Sequence, residues 1–186
     1  HTTLTGFKWI ARAPGLGVGY EEAIGFCPDP AHVRDKDGIA TSVVAASLVA
    51  ALKAQGRSVW DELERLARLH GLHVSSPLTF RVDEIEQIAS GMARLRAQPP
   101  SVLAGSPVVE VSDLSQGYRG LPPTDGVLVL TEAGDRVIAR PSGTEPKLKC
   151  YLEVILPVAE GESLPWEQAR ERLDAIKGAF AEIIGL

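Results

Sequence analysis

Asp135-Arg136-Val137-Ile138-Ala139, then Arg140-Pro141-Ser142-Gly143-Thr144-Glu145-Pro146-Lys147, then Leu148-Lys149-Cys150-Tyr151-Leu152-Glu153-Val154-Ile155 is the stretch whose reading decides the fold. Two β-rich runs, the second alternating apolar and polar, enclose an almost purely polar loop. Two readings of the loop stand side by side. One is a tight connection in which proline and Ser-Gly supply the turn geometry. The other is a cradle for a small anion, phosphate above all. In that reading Gly143 lets the backbone come close, Arg140 makes a bidentate contact, Ser142 and Thr144 add hydroxyls, and free backbone N–H groups complete the cradle.

Outward from this hairpin, the second region of the chain reads as a complete domain. Leu78 to Val82 is a short strand, and Asp83-x-x-Glu86 is a capping-box start for a helix carrying Ile85, Ile88, Met92 and Leu95, stopped by Pro99-Pro100. Strands are expected at Val108–Val111, Val127–Thr131, Val137–Arg140 and Lys149–Leu156. A closing helix over Pro165–Ile184 sets Trp166, Ala169, Leu173, Ile176, Phe180 and Ile183 on one apolar stripe. The economical architecture is α+β: a four- or five-stranded, mainly antiparallel sheet with helices on one face.

The first region is less complete. A strand is expected over Thr5–Ala11, then the glycine-rich Gly15-Leu16-Gly17-Val18-Gly19, then an extended Tyr20–Phe26. A long helix follows over Asp37–Gln55, stopped by Gly56. A second helix is capped by Ser58 with Asp61 three residues on, carries Val59, Leu63, Leu66 and Leu69 on one face, and ends at Gly71. Two strands and two helices make a poor closed α/β unit, so this region reads as half of a domain.

Composition is that of an ordinary globular protein: 186 residues, 45% hydrophobic, 23% charged. A net charge of −5 argues against a nucleic-acid binder. The local balance around the loop is opposite, with Arg136, Arg140, Lys147 and Lys149 close together, which suits a small anionic metabolite. Two cysteines, Cys27 and Cys150, suggest no disulfide framework and a cytoplasmic setting. No apolar run is long enough to span a membrane, no signal peptide is read, and the chain starts at His1 without a methionine, which fits a fragment or a processed product.

Three further constellations carry candidate chemistry. Tyr20-Glu21-Glu22-Ala23-Ile24-Gly25 places paired carboxylates between glycines, either to accept hydrogen bonds from sugar hydroxyls or as charges on a strand edge. Arg34-Asp35-Lys36-Asp37-Gly38 lacks the third acidic ligand of a calcium loop, and Ala46 stands at its closing position. Its plainer role is a helix N-cap by Asp35 or Asp37, with Lys36 left free to reach an anion. His70 and His73 are read as flanking a helix end, where a cation suits the dipole. No Gly-x-Ser-x-Gly is present, and Gly15-x-Gly17-x-Gly19 has the wrong spacing for a dinucleotide fingerprint.

Read in order, Thr5-Gly6-Phe7-Lys8-Trp9-Ile10, Tyr20-Glu21-Glu22-Ala23-Ile24-Gly25, Asp35-Lys36-Asp37-Gly38 and the Arg140–Lys147 loop resemble the α-D-phosphohexomutases, in particular the phosphoglucomutase/phosphomannomutase branch. The resemblance covers essentially the whole chain. It implies that residues 1–74 are the C-terminal part of an α/β third domain and residues 75–186 an α+β fourth domain, from an enzyme of four domains around one cleft. It implies that Arg140, Ser142, Gly143 and Thr144 hold the substrate phosphate that is not transferred, and that Glu21 and Glu22 face the sugar. Lys8, Lys36 and Lys147 are candidate cleft cations. Ala23 stands where many members have serine, which removes a hydroxyl contact and leaves a phosphopentose as an alternative substrate.

The family reaction interconverts hexose 1-phosphate and hexose 6-phosphate through a phosphoserine and a bisphosphate intermediate. Its Thr-Ala-Ser-His-Asn-Pro serine loop and Asp-x-Asp-x-Asp magnesium loop do not occur in this sequence. No catalytic or metal-ligating residue is therefore expected here, and the isolated chain is expected to be inactive. Mg²⁺ and a hexose 1,6-bisphosphate activator would belong to the intact enzyme. The implied partners are a phosphorylated hexose and the N-terminal domains of the same enzyme. A stand-alone phosphosugar-binding module is the competing reading.

Overall fold

A computed structural model describes residues 1–21, 25–143 and 145–185. The chain divides into two compact units, His1–Leu63 and Glu64–Leu186.

The second unit is built on a six-stranded, wholly antiparallel sheet. Its strands are β3 (Leu72–Arg81), β4 (Val102–Leu103), β5 (Ser106–Asp113), β6 (Val127–Thr131), β7 (Arg136–Pro141) and β8 (Lys147–Leu156), in the order β3-β8-β7-β6-β5-β4. Helices α4 (Ile85–Ala97) and α5 (Trp166–Ile184) complete it. Along β8 every second residue is buried: Leu148, Cys150, Leu152, Val154 and Leu156. They join Ile88, Met92 and Leu95 of α4 and Ala169, Leu173, Ile176, Phe180 and Ile184 of α5 in one core. A period of two on the strand meeting a period near 3.6 on the helices is what places both helices on the same face. Burial pushes the Cys150 thiol up to about 12.

The sheet exceeds the expected four or five strands by β4, and β3 is longer than the strand expected over Leu78–Val82. The two-residue β4 is too short to leave a pattern. β3 begins at Leu72, directly after Gly71 ends the preceding helix at φ +91. Ser75, Ser76 and Pro77 blur its alternation in the sequence. Pro77 is tolerated because β3 is an edge strand with β8 as its sole neighbour. His73 accordingly lies within β3, not at a helix end, with its Nδ1 3.3 Å from Glu153. The expected capping box at Asp83 is not made: α4 starts one residue later, with Glu84 at the cap and no side-chain hydrogen bond there. Ile85, at that helix start, is exposed, and Trp166 at the start of α5 is exposed as well.

One buried ion pair fastens α5 to the β6–β7 turn. Asp135 is fully buried; its Oδ2 accepts from Arg172 Nη2 (2.7 Å), Arg172 Nε (2.9 Å) and Thr131 Oγ1 (3.0 Å). Arg96 of α4 likewise reaches Asp113 Oδ2 at 3.1 Å and Asp125 Oδ1 at 2.5 Å.

The first unit holds α1 (Phe7–Ile10), the hairpin strands β1 (Gly19–Glu21) and β2 (Gly25–Cys27), α2 (Gly38–Ala54) and the start of α3 (Val59–His70). The strand expected over Thr5–Ala11 is instead one helical turn. Gly6 at φ +106 swings the chain into it, and the Trp9 and Ile10 amides donate back to the Gly6 carbonyl. That turn puts Phe7 and Ile10 on one side, where both meet Gly19. α2 is capped as expected by Asp37, whose carboxylate accepts from the Ile39 and Ala40 amides. At the head of α3, Ser58 and Asp61 form a reciprocal capping box: the Asp61 carboxylate accepts from the Ser58 amide at 2.6 Å and Ser58 Oγ accepts from the Asp61 amide at 3.2 Å. Ile39, Val43, Val44, Leu48 and Val49 of α2 are exposed, and Leu52 is that helix's one buried residue among those described. The expected apolar face of α3 is open too, with Leu63 and Leu69 exposed.

Candidate functional site

Each unit carries one candidate region. In the second unit it is the β7–β8 connection. The register sets Arg140 directly opposite Lys149, Lys149 opposite Thr79, and Lys147 opposite Arg81. All these residues alternate with the buried core positions, so they lie on the sheet face that carries no helix. Arg140, Lys149 and Arg81 have no ion-pair partner among the described residues, whereas Lys147 Nζ donates to Glu145 Oε1 at 2.6 Å. Like charges directly opposite in a sheet repel. Four cations gathered at one sheet end with one carboxylate among them form a field that favours an incoming anion.

The loop backbone is tighter than the sequence suggests. The Ser142 amide donates to the Lys147 carbonyl (2.8 Å) and the Lys147 amide to the Glu145 carbonyl (2.7 Å), so neither is a free donor. Pro141 and Pro146 carry no N–H. Free donors therefore reduce, among the described residues, to the Gly143 and Glu145 amides, fewer than a fully open cradle would offer. Gly143 is exposed, and a Cβ there would meet no protein atom within 4 Å. Ser142 and Arg140 are half-buried. Thr144 lies outside the described residues. The hydrogen bond from Lys147 holds the Glu145 carboxyl below the usual carboxylate range, with the more distant charges of Lys149 and Arg81 adding to it.

In the first unit the region is the β1–β2 hairpin, in which Glu21 pairs with Gly25. Phe7 is buried against this hairpin. A Cβ on Gly25 would lie 2.7 Å from Phe7 Cε2 and 2.5 Å from Glu21 Cγ, and a Cβ on Gly19 would lie 3.4 Å from Phe7 Cε1. The two glycines thus make room for the ring and for the glutamate stem. Lys36 Nζ stands 4.7 Å from the centre of the Phe7 ring, 3.9 Å from Glu21 Oε1 and 3.2 Å from Asp35 Oδ1. Lys36, expected to be free, instead sits between two carboxylates, hydrogen-bonded to Asp35 and 3.9 Å from Glu21. Glu21 is 15% exposed at its side chain. Lys8 is exposed, 5.7 Å from the ring of Trp9. Glu22 lies outside the described residues. Among the described residues no three His, Cys, Asp or Glu side chains come together as a metal-binding set.

Sequence reasoning missed two residues of these regions. Phe7 was hidden by its reading as a strand residue, although Phe7-x-x-Ile10 after a glycine carried a helical signal. Arg81 is 59 positions from Arg140 (140 minus 81) and joins the cluster only through β3–β8 pairing, which no local pattern announces.

Comparison with known proteins bears on both regions. Residues 1–69 match the phosphoglucomutase/phosphomannomutase α/β/α domain III, and residues 79–165 match the phosphoglucomutase/phosphomannomutase C-terminal domain. A probable phosphomannomutase of Haemophilus influenzae is 42% identical over 81% of this chain and 30% of its own length. A phosphopentomutase of Mus musculus is 31% identical over 97% of this chain and 32% of its own length, and a phosphoglucomutase of Staphylococcus aureus is 31% identical over 81% and 31%. The chain thus spans about a third of the length of these curated relatives. A crystal structure of the exocytosis-sensitive phosphoprotein parafusin, a phosphoglucomutase from Paramecium in an open form, shares the fold. Its TM-score is 0.54 at 17% identity, covering 84% of this chain and 29% of that one.

Proposed function

The chain belongs to the phosphoglucomutase/phosphomannomutase family, and from that premise we propose that it is the substrate-gripping portion of an enzyme interconverting hexose 1-phosphate and hexose 6-phosphate. One observation carries the reading: Arg140, Lys149, Lys147 and Arg81 converge beside the Ser142–Gly143 backbone with three of the four lacking an ion-pair partner among the described residues. A phosphate dianion relieves that repulsion, and the Arg140 guanidinium offers it two parallel donors. The half-buried Ser142 hydroxyl, the Gly143 amide and Thr144 add neutral donors.

In the first unit the Glu21 carboxylate accepts from sugar hydroxyls, with Glu22 beside it in sequence. Lys36 and the Phe7 ring fix the Glu21 orientation, so little side-chain freedom is lost when the sugar arrives. Lys8 is a further cation for the substrate. Among the described residues no three His, Cys, Asp or Glu side chains come together for the Mg²⁺ of the family reaction. Phosphoryl transfer is the task of other domains of the same enzyme. The exposed apolar residues of α2 support such domains covering it, since a helix apolar on several sides is one that is buried on several sides. Two free, buried cysteines suit a cytoplasmic enzyme.

Calorimetry of the chain with glucose 1-phosphate and mannose 1-phosphate tests this reading. Binding is expected, and Arg140→Ala should weaken it roughly tenfold or more, the worth of a charge-assisted hydrogen bond. In the full-length enzyme the same change should raise KM. Unchanged affinity in Arg140→Ala would sink the assignment. A pentose phosphate is the second reading, supported by the mouse relative named as a phosphopentomutase; tighter binding of ribose 1-phosphate than of either hexose phosphate would favour it.

A further inference from the structure

The loop that meets the phosphate already holds an anion of its own. Lys147, 13% exposed at its side chain, donates to the Glu145 carboxylate at 2.6 Å, and the two residues are also joined through the backbone by the Lys147 amide to the Glu145 carbonyl at 2.7 Å. Glu145 is the one acidic residue in the Arg140–Lys147 segment. It is 48% exposed and rests on no other described cation, while Arg140, Lys149 and Arg81 stand unpaired nearby. The cation on which this carboxylate sits is thus the one member of the cluster already neutralised.

We propose that Glu145 is a specificity-determining residue: an internal stand-in that occupies Lys147 in the free protein and that a phosphate monoester must displace to gain the full cation cluster. The proposal rests on the phosphate reading of the loop and deepens it. Three consequences follow from simple electrostatics. A ligand with a single negative charge gains too little from the remaining cations to unseat a carboxylate held by a short, backbone-braced contact, so weak monoanions are rejected. A dianion gains from all four cations together and succeeds. The exchange also swaps one charged partner for another at Lys147, so that this cation, largely withdrawn from water, is never left unpaired. The opposite role for Glu145, holding Lys147 in place for the phosphate, predicts the opposite sign on removal of its charge.

The test titrates the whole 186-residue chain with inorganic phosphate and with acetate, following the Ser142 and Gly143 amide resonances, for the unaltered protein, Glu145→Gln, Lys147→Gln and the double variant. Glu145 is exposed and caps no helix, so the fold survives its replacement. Glu145→Gln should bind phosphate roughly fivefold more tightly, the upper range for an exposed ion pair, and should begin to bind acetate. In the Lys147→Gln background the same change should yield no gain. Equal or weaker phosphate binding by Glu145→Gln overturns the stand-in role while leaving the phosphate site intact. A gain that persists without Lys147 also overturns it, because the effect would then be general charge removal. If neither the unaltered chain nor any variant responds to phosphate at millimolar concentration, the phosphate reading of the loop falls and takes this inference with it.

Discussion

The two units solve the burial problem differently. In the second, eighteen residues from four strands and two helices close on one another in a single core. In the first, the 17-residue α2 turns five of its large apolar residues outward and buries only Leu52 among those described. The second unit has the makings of independent stability; the first has the order of a region that is finished by something packed against it. The contrast also separates the two candidate regions: a sheet end carrying the cations, and a short hairpin held by an aromatic ring and an ion pair.

The sharpest way to break this contrast is to truncate one large apolar residue in each unit. Phe180→Ala in the second core should cost about 3–5 kcal/mol, whereas Val44→Ala on the exposed side of α2 should stay within about 0.5 kcal/mol. Urea denaturation followed by Trp fluorescence would compare them; similar losses would refute the division. Next in size is Asp135→Ala, which strands the Arg172 guanidinium and should cost about 3 kcal/mol. A loss below that of a surface ion pair would show that solvent reaches Arg172 freely.

Gly25→Ala probes the other unit. Its new Cβ would lie 2.5 Å from Glu21 Cγ, so the glutamate must move. A cost of about 1–3 kcal/mol is expected, with hexose phosphate affinity reduced although the phosphate loop is untouched. Affinity for inorganic phosphate should be unchanged in the same variant, and a parallel loss of both would deny that the hairpin acts on the sugar alone.

The smallest effect concerns acid. The Ser115 amide chiefly, and Arg96 in addition, hold the Asp113 carboxyl below its usual range. The stability this provides is complete above the ordinary carboxylate pKa and is lost as pH falls through the lowered folded value. Asp113→Asn should therefore melt lower at neutral pH and lose less on acidification, and parallel melting curves for the two proteins from pH 7 to pH 3 would contradict it.

What could be seen in the sequence follows from the range of the interactions. α5 was legible because its apolar stripe is local and regular. β7 and β8 were legible from alternation, and Asp37 and Ser58 from capping chemistry that spans three residues. β4 was too short to leave a period, and β3 was foreshortened by Pro77, whose tolerance depends on being at an edge. The loop was recognisable by composition, but its internal hydrogen bonds, which use two of its amides, were not. Lys36 looked free although Asp35, which takes its ammonium at 3.2 Å, adjoins it in sequence; its other neighbours, Glu21 and Phe7, are remote and meet it only when the hairpin and α1 fold together.

One consequence of the alternation along β8 concerns how this protein can change over time. Lys147 and Lys149 share a strand with Leu148, Cys150 and Leu152, one set on the open face of the sheet and the other in the core. A slip of one residue would drive Lys149 inward and turn Leu148 out, dispersing the cation cluster and ruining the packing at once. Insertions and deletions must then be absorbed wholly between Pro141 and Lys147. The length of the loop is free to drift only so long as its two ends do not, and the cation cluster is locked in phase with the core beneath it.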